Sequence, residues 1–216
     1  CGAKIIGADA TSIEDLENLY DESMEFLGGP VDFVLHSIGM STNIRKGREY
    51  GDLNYEWFMK SLDVSALSFH KMMQVAQKKD AIAQGGSVVA LSYIAAQRSF
   101  PDYTDMAQAK AMLESIARSY GYHYGKAKGV RVNTVSQSPT KTTAGTGISG
   151  FNAFYEYANS MSPLGNATAD DCADYVISLF SDLTRKVTMQ NLFHDGGFSS
   201  VGISADIVEL MESKNA

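Results

Sequence analysis

The stretch Ser87-Val88-Val89-Ala90-Leu91-Ser92-Tyr93-Ile94, followed shortly by Tyr103-Thr104-Asp105-Met106-Ala107-Gln108-Ala109-Lys110, decides the fold. Its first part is a continuous apolar, β-branched run, the pattern of a strand covered on both faces. Its second part opens an Ala/Met/Leu/Glu-rich segment that runs on to Tyr120 and favours a helix. The same beat extends in both directions. Apolar runs at 31–38, 130–137 and 190–195 read as further strands, and 4–9 is strand-like. Helical segments at 11–26, 54–84, 103–126 and 169–181 lie between them, the first opened by the cap candidates Thr11 and Ser12. Such β-α-β-α alternation predicts the α/β class: a doubly wound parallel sheet, Rossmann-like, with right-handed crossovers. No repeat, low-complexity tract or linker interrupts it, so 1–216 reads as a single domain. The connection 138–167 is too long for a turn. It holds a short aromatic helix with Phe151, Phe154, Tyr155 and Tyr157, and loops of this length are usually lids or disordered segments; 138–167 is expected to be a substrate-binding loop.

Composition bounds the rest. With 44% hydrophobic and 20% charged residues over 216 positions, the chain suits a soluble globular domain with a full core. A net charge of −7 and a pI near 5.0 argue against nucleic acid, whose phosphates need a basic face. No apolar run is long enough to span a bilayer, so no membrane partner is expected. No signal peptide is present, and Cys1 and Cys172 do not make a disulfide framework; both fit a reducing, cytoplasmic location. His70, His123 and His194 share no metal-ligand spacing, so no metal is expected, and His36 reads as structural.

In a doubly wound sheet, ligands bind beyond the carboxyl ends of the strands. Those ends read His36-Ser37-Ile38-Gly39, Ser92-Tyr93, Ser136-Gln137-Ser138-Pro139-Thr140 and Asp195-Gly196-Gly197. Small residues there let a ligand approach the backbone. Tyr103 and Lys110 are seven residues apart, which on a helix puts them on nearly one face, about 10 Å apart along the axis. A phenol near a cation is a suitable proton donor, since the cation lowers its pKa. Alone, the pair is also what a half-buried Tyr and a surface Lys on a packed helix would give.

Taken in order, these features resemble the short-chain dehydrogenase/reductase superfamily, and more narrowly its bacterial NADH-dependent enoyl-acyl-carrier-protein reductases. Five motifs, spread over nearly the whole chain, carry the likeness. They are His36 to Gly39, the Ser92-Tyr93 pair, the Tyr-x6-Lys pattern of Tyr103 and Lys110, Gly129 to Asn133 (GVRVN), and Asp195 to Ser199 (DGGFS). The resemblance implies hydride transfer from NADH, with NADPH as the alternative, to the β-carbon of a trans-2-enoyl thioester in fatty acid biosynthesis. The partner it implies is the enoyl-acyl carrier protein. Tyr103, Lys110 and Tyr93 are implied as catalytic: Tyr103 stabilising the enolate oxygen, Lys110 holding the ribose hydroxyls, Tyr93 lining the substrate pocket. Asp9, Ala10, Ser37, Ile38, Gly39, Lys110, Pro139, Thr140 and Thr142 are implied for the cofactor. Tyr93, Tyr103, Met106 and Phe151 are implied for the substrate. A homotetramer is expected, because the superfamily packs the Tyr/Lys helix and its neighbour across two-fold axes. Trp57, Phe58, Leu62, Leu67, Phe69, Met72 and Met73 give that neighbour apolar side chains around much of its circumference.

Three departures stand out. The family opens with two βα units that hold the pyrophosphate and adenosine ribose; the chain starts at Cys1 without them, so it reads as truncated at its N-terminus. Ser138-Pro139-Thr140 stands where the family often has Gly-Pro-Ile, a change expected to crowd the site. No Lys or Arg occurs from Thr142 to Thr184, where relatives often carry cations to meet the acidic carrier; Arg45, Lys46, Arg48 and Lys141 are the nearest substitutes. Two other readings remain. A carbonyl reductase of the same superfamily would need Lys four residues after Tyr103, where Ala107 stands. A non-catalytic module that keeps the fold is opposed by the Tyr103/Lys110 pair.

Overall fold

Helix α1 (Ile13–Leu27) begins where the Ser12 side chain accepts from the Asp15 amide, with Glu14 and Asp15 at its positive end, and it buries Leu16 and Tyr20. The structure, a computed structural model, describes residues 2–141 and 151–215. After α1 come β1 (Val31–His36), α2 (Thr42–Arg45) and α3 (Tyr55–Leu62), which runs through a π-helical turn, Asp63–Leu67, into α4 (Ser68–Lys78). Then follow β2 (Ile82–Ser92), α5 (Thr104–Lys128), β3 (Arg131–Gln137), α6 (Phe151–Met161), α7 (Ala169–Phe180), β4 (Asn191–His194) and α8 (Ala205–Asn215). The single helix expected over 54–84 is therefore shorter. Asp80 takes a positive φ of 52°, and Ile82 already pairs with Val31 in the sheet.

The four strands are parallel, in the order β1-β2-β3-β4. Register places His36 opposite Ala90, Ser92 opposite Ser136 and Gln137 opposite His194, so the strand ends share one edge. Under α1, α4 and α5, Val88, Ala90 and Val132 meet Phe69, Met73, Leu113 and Tyr124. Each large apolar side chain buried there contributes about 1.5–3 kcal/mol. The alternate residues Val89 and Leu91 meet Cys172, Val176 and Leu179 on the other face. Helices thus cover both faces, as the doubly wound class requires. Because the strand order is sequential, the crossover through α7, on the face opposite α4 and α5, has the opposite hand to the two before it. The expectation of uniformly right-handed crossovers fails at that one connection.

Two strand expectations also change. The run 4–9 joins no sheet among the described residues; Ile5 is 96% exposed. Among the described residues β1 pairs only with β2. Nor is β1 covered on both faces, since Phe33 and Leu35 are exposed, with Phe33 stacked on Phe180 at 5.0 Å.

Two of the sequence motifs have structural work. The buried Arg131 guanidinium donates to the carbonyls of Leu179 (2.7 Å), Phe180 (3.2 Å) and Ser181 (3.3 Å), satisfying the carboxyl end of α7. Asp195 accepts from the amides of Gly197 and Ser199, both at 3.0 Å. Gly196, at φ 64°, packs so close that a side chain there would collide with the Gly165 carbonyl. No helix among the described residues is long and apolar enough to cross a membrane.

Candidate active site

The ends of β1 and β2 and the first turns of α5 enclose a cavity of about 230 Å³. Ser37, Ile38 and Gly39 wall it from β1, Leu91 from β2, and Tyr103, Met106 and Lys110 from α5; Met40, Ser41, Ile44 and Arg45 complete it. Six residues singled out from the sequence (Ser37, Ile38, Gly39, Tyr103, Met106 and Lys110) therefore meet in one place. Gly39 keeps that place open. A methyl group on it would stand 3.4 Å from Met106 Cε and 3.9 Å from Lys110 Nζ, filling the space beside the ammonium.

Lys110 is only 7% exposed, and its Nζ donates to the Leu91 carbonyl at 2.6 Å. Burial pushes its pKa down to about 8, with the Glu114 carboxylate one turn along the helix pulling the other way. On the adjoining strand, burial and then the Lys110 charge hold His36 down to about 4. Ser68 Oγ gives its hydrogen to the Val64 carbonyl at 2.6 Å, so His36 Nε2 must be the donor in its 2.9 Å contact with Ser68. His36 Nδ1 has no hydrogen-bond partner among the described residues. This is a neutral histidine that fastens β1 to α4.

Tyr93 and Tyr103 lie with ring centroids 4.9 Å apart, and Phe100 and Phe154 stand 5.5 and 6.3 Å from Tyr93. Tyr93 is 9% exposed, and its hydroxyl has no hydrogen-bond partner among the described residues. Loss of hydration raises the pKa of both phenols, with Tyr103 and Asp195 adding to the rise at Tyr93. The expectation that a cation lowers the Tyr103 pKa is thus corrected: burial raises it, and the phenol keeps its proton.

Between the phenol and the lysine the backbone is strained. Thr104, β-branched, sits at φ 25° and ψ −124°, a conformation costing about 1–3 kcal/mol. The neighbouring Asp105 is fully buried and anchored: it accepts from Ser41 Oγ (2.6 Å), Asn43 Nδ2 (2.9 Å), Ser61 Oγ (2.8 Å) and Thr104 Oγ1 (3.2 Å). This network ties the first turn of α5 to α2 and α3. In the sequence its sole local signal is an acidic residue in the first turn of a helix.

Other implied residues lie elsewhere. Asp9 and Ala10 are not at a strand end and do not line the cavity. They form a turn ahead of α1 in which Asp9 accepts from Thr11 N and Oγ1, both at 2.8 Å, bonds that lower its pKa. Pro139 and Thr140 follow β3 but do not line the cavity; Thr140 Oγ1 donates to the Ser138 carbonyl at 3.2 Å. Ser138, rather than crowding the site, accepts from the Ala167 amide at 2.8 Å and closes the base of the 138–167 connection. Phe151 pairs with Tyr155 at 6.1 Å, and Phe154 is the residue of α6 that reaches Tyr93. Thr142 lies outside the described residues, as does Cys1.

Comparison with known proteins agrees with this geometry. The family model described as enoyl-(acyl carrier protein) reductase matches residues 1–199. The enoyl-[acyl-carrier-protein] reductase [NADH] 2 of Rhizobium meliloti is 32% identical over 196 residues, 90% of this chain and 72% of that protein. The enoyl-[acyl-carrier-protein] reductase [NADH] FabI of Rickettsia bellii is 35% identical over 196 residues, 90% of this chain and 73% of its own length. Among solved structures, the FabI–NADH complex from Alistipes finegoldii superposes with a TM-score of 0.91 at 67% identity, covering 93% of this chain and 71% of that one. The enzyme from Aquifex aeolicus gives 0.83 at 31% identity, covering 91% and 76%.

Proposed function

The chain belongs to the enoyl-(acyl carrier protein) reductase family, and on that premise we propose that its cavity is where a trans-2-enoyl thioester is reduced with NADH, in the cytoplasm, during fatty acid biosynthesis. The observation that carries the assignment is the meeting of Gly39, Lys110 and Tyr103 in one cavity. The residues present fit a nicotinamide nucleotide. Gly39 leaves room beside Lys110 Nζ, and the ammonium keeps donors beyond the one given to Leu91. NADH in the names of the Rhizobium meliloti and Rickettsia bellii relatives and in the Alistipes finegoldii complex supports it over NADPH. When bound, the cofactor supplies the hydride that reduces the β-carbon.

The chain's own residues do the rest. Lys110 binds ribose hydroxyls and keeps positive potential in the cavity. Tyr103 donates a hydrogen bond to the thioester oxygen, where negative charge builds in the transition state; its retained proton suits that task. Tyr93 borders the acyl side together with Phe100 and Phe154, and its unpartnered hydroxyl is free for a polar group of the substrate. The Asp105 network holds the turn from which Tyr103 projects. The test uses NADH deuterated at C4 with a crotonyl thioester. Deuterium at C3 of a saturated product is expected. Oxidation of the cofactor without that label, or transfer to a carbonyl carbon, overturns the reading.

For the acidic carrier, the reading favours Arg45 and Lys46. Arg48 is held by Asp52 at 2.5 Å and sits over Trp57, and Lys141 is near Glu156 (3.9 Å) and the Tyr155 ring (4.2 Å). Arg45 and Lys46 are exposed, and Arg45 also lines the cavity. Charge reversal of both to Glu is expected to slow reduction of the carrier-linked substrate about tenfold or more at low salt, with little change for the coenzyme-A-linked one. Equal effects on both substrates would contradict this docking site.

A further inference from the structure

The buried carboxylate that this mechanism leaves unused is Glu114. It lies one turn beyond Lys110 on α5 and is 4% exposed. Its Oε1 accepts from Ser92 Oγ at 2.7 Å and its Oε2 from Gln97 Nε2 at 3.1 Å. Ser92 ends β2 and precedes Tyr93, and Gln97 ends the 3-10 turn Ile94–Ala96 that leads away from Tyr93. Lys110 holds the Leu91 carbonyl on the same segment. Two opposite charges, four residues apart on one helix, therefore grip the chain on either side of Tyr93.

We propose that Glu114 is a positioning residue of this active site, fixing the turn that presents Tyr93 and serving as the counter-charge of Lys110. Burying a carboxylate is expensive, and here it accepts from two donors at once, Ser92 Oγ and Gln97 Nε2, which a neutral amide with its single acceptor oxygen would not do in this arrangement. The other titratable and charged groups around Lys110 do not supply a counter-charge. His36 on β1 is neutral, Arg45 at the end of α2 is positive, and Tyr93 and Tyr103 hold their protons. Asp105 faces Ser41, Asn43 and Ser61, and Asp195 faces the amides of Gly197 and Ser199, so neither bonds to the Leu91–Gln97 segment that Lys110 and Glu114 share. Glu114 alone opposes the burial that disfavours the lysine charge.

The inference rests on Lys110 as the cofactor ligand, and the test separates the two claims. The Lys110 ammonium is titrated directly through its Cε carbon resonance in the wild type, Glu114→Gln and Glu114→Asp, with NADH affinity measured in parallel. In Glu114→Gln the Lys110 midpoint is expected to fall by about one pH unit, and NADH affinity above that midpoint to weaken about tenfold. Glu114→Asp restores the midpoint. Ser92→Ala, which keeps the carboxylate, is expected to leave the midpoint and NADH affinity in place while lowering kcat. An unmoved midpoint in Glu114→Gln, or an unchanged kcat in Ser92→Ala, overturns the proposal. Absence of NADH binding by the wild type would instead overturn the functional reading, while the lysine titration still decides the role of Glu114.

Discussion

At Lys110 stability and function oppose each other. Its pKa is about 8 in the folded chain against an ordinary 10.5. Below about 8 both folded and unfolded chains hold the proton, and folding bears the full penalty of a buried charge. Between about 8 and 10.5 the unfolded chain binds more protons, so the penalty is relieved as pH rises. Lys110→Met is therefore expected to stabilise the protein at neutral pH by up to about 3 kcal/mol, less the lost bond to Leu91, while abolishing NADH binding. Chemical unfolding near pH 7 and near pH 10 checks this: the gain should shrink at the higher pH, and a loss of stability at both would contradict it. Several residues that line the cavity were legible in the sequence because strand ends and a helical spacing name them directly: Ser37, Ile38, Gly39, Tyr103, Met106 and Lys110. Glu114 and Asp105 were not, because their roles come from partners 22 and up to 64 residues away. Asp9 and Ala10 lie in a turn where the apolar run suggested a strand end, because such a run makes a strand only where a neighbouring strand accepts it.

Among elements, the interior strands β2 and β3 were legible because continuous apolar runs have few other uses. The π turn at Asp63–Leu67 was not. It interrupts a helix whose residues favour helix throughout, and it sets Ser65 Oγ 2.9 Å from the Met40 amide beside the cavity. The hand of the last crossover was also hidden, since it depends on which sheet face meets Val176 and Leu179. Arg131 illustrates a motif of the family likeness that serves an element. It is the first residue of β3, at the end remote from the cavity, and it satisfies several carbonyls at the end of α7. Arg131→Met is expected to cost about 2–4 kcal/mol, because it leaves buried carbonyls unpaired, with NADH affinity unchanged. Urea unfolding alongside cofactor titration tests this, and a drop in affinity without a drop in stability would be the contrary result.

For the whole molecule, the expected apolar excess on the 54–84 helix is partly absorbed by the chain itself. Leu62, Phe69, Met72 and Met73 are buried in its core, while Leu67, Tyr55 and Met59 stay exposed. Between α4 and α5 lies a groove of about 450 Å³ that His70, Ile116, Tyr120 and His123 help to line. A homotetramer packed through this face is the expected assembly, and sedimentation of the full protein at micromolar concentration should show it; monomer alone would refute it. The central claim, however, concerns one hydroxyl. Tyr103 keeps its proton and lines the cavity with Lys110, so its contribution should be confined to charge formed during reaction. The direct measurement is turnover of a trans-2-enoyl thioester by Tyr103→Phe, with NADH affinity determined on the same sample. A loss of roughly 10²–10³ in kcat at nearly unchanged NADH affinity is predicted; wild-type turnover would contradict the account and shift the role to Tyr93.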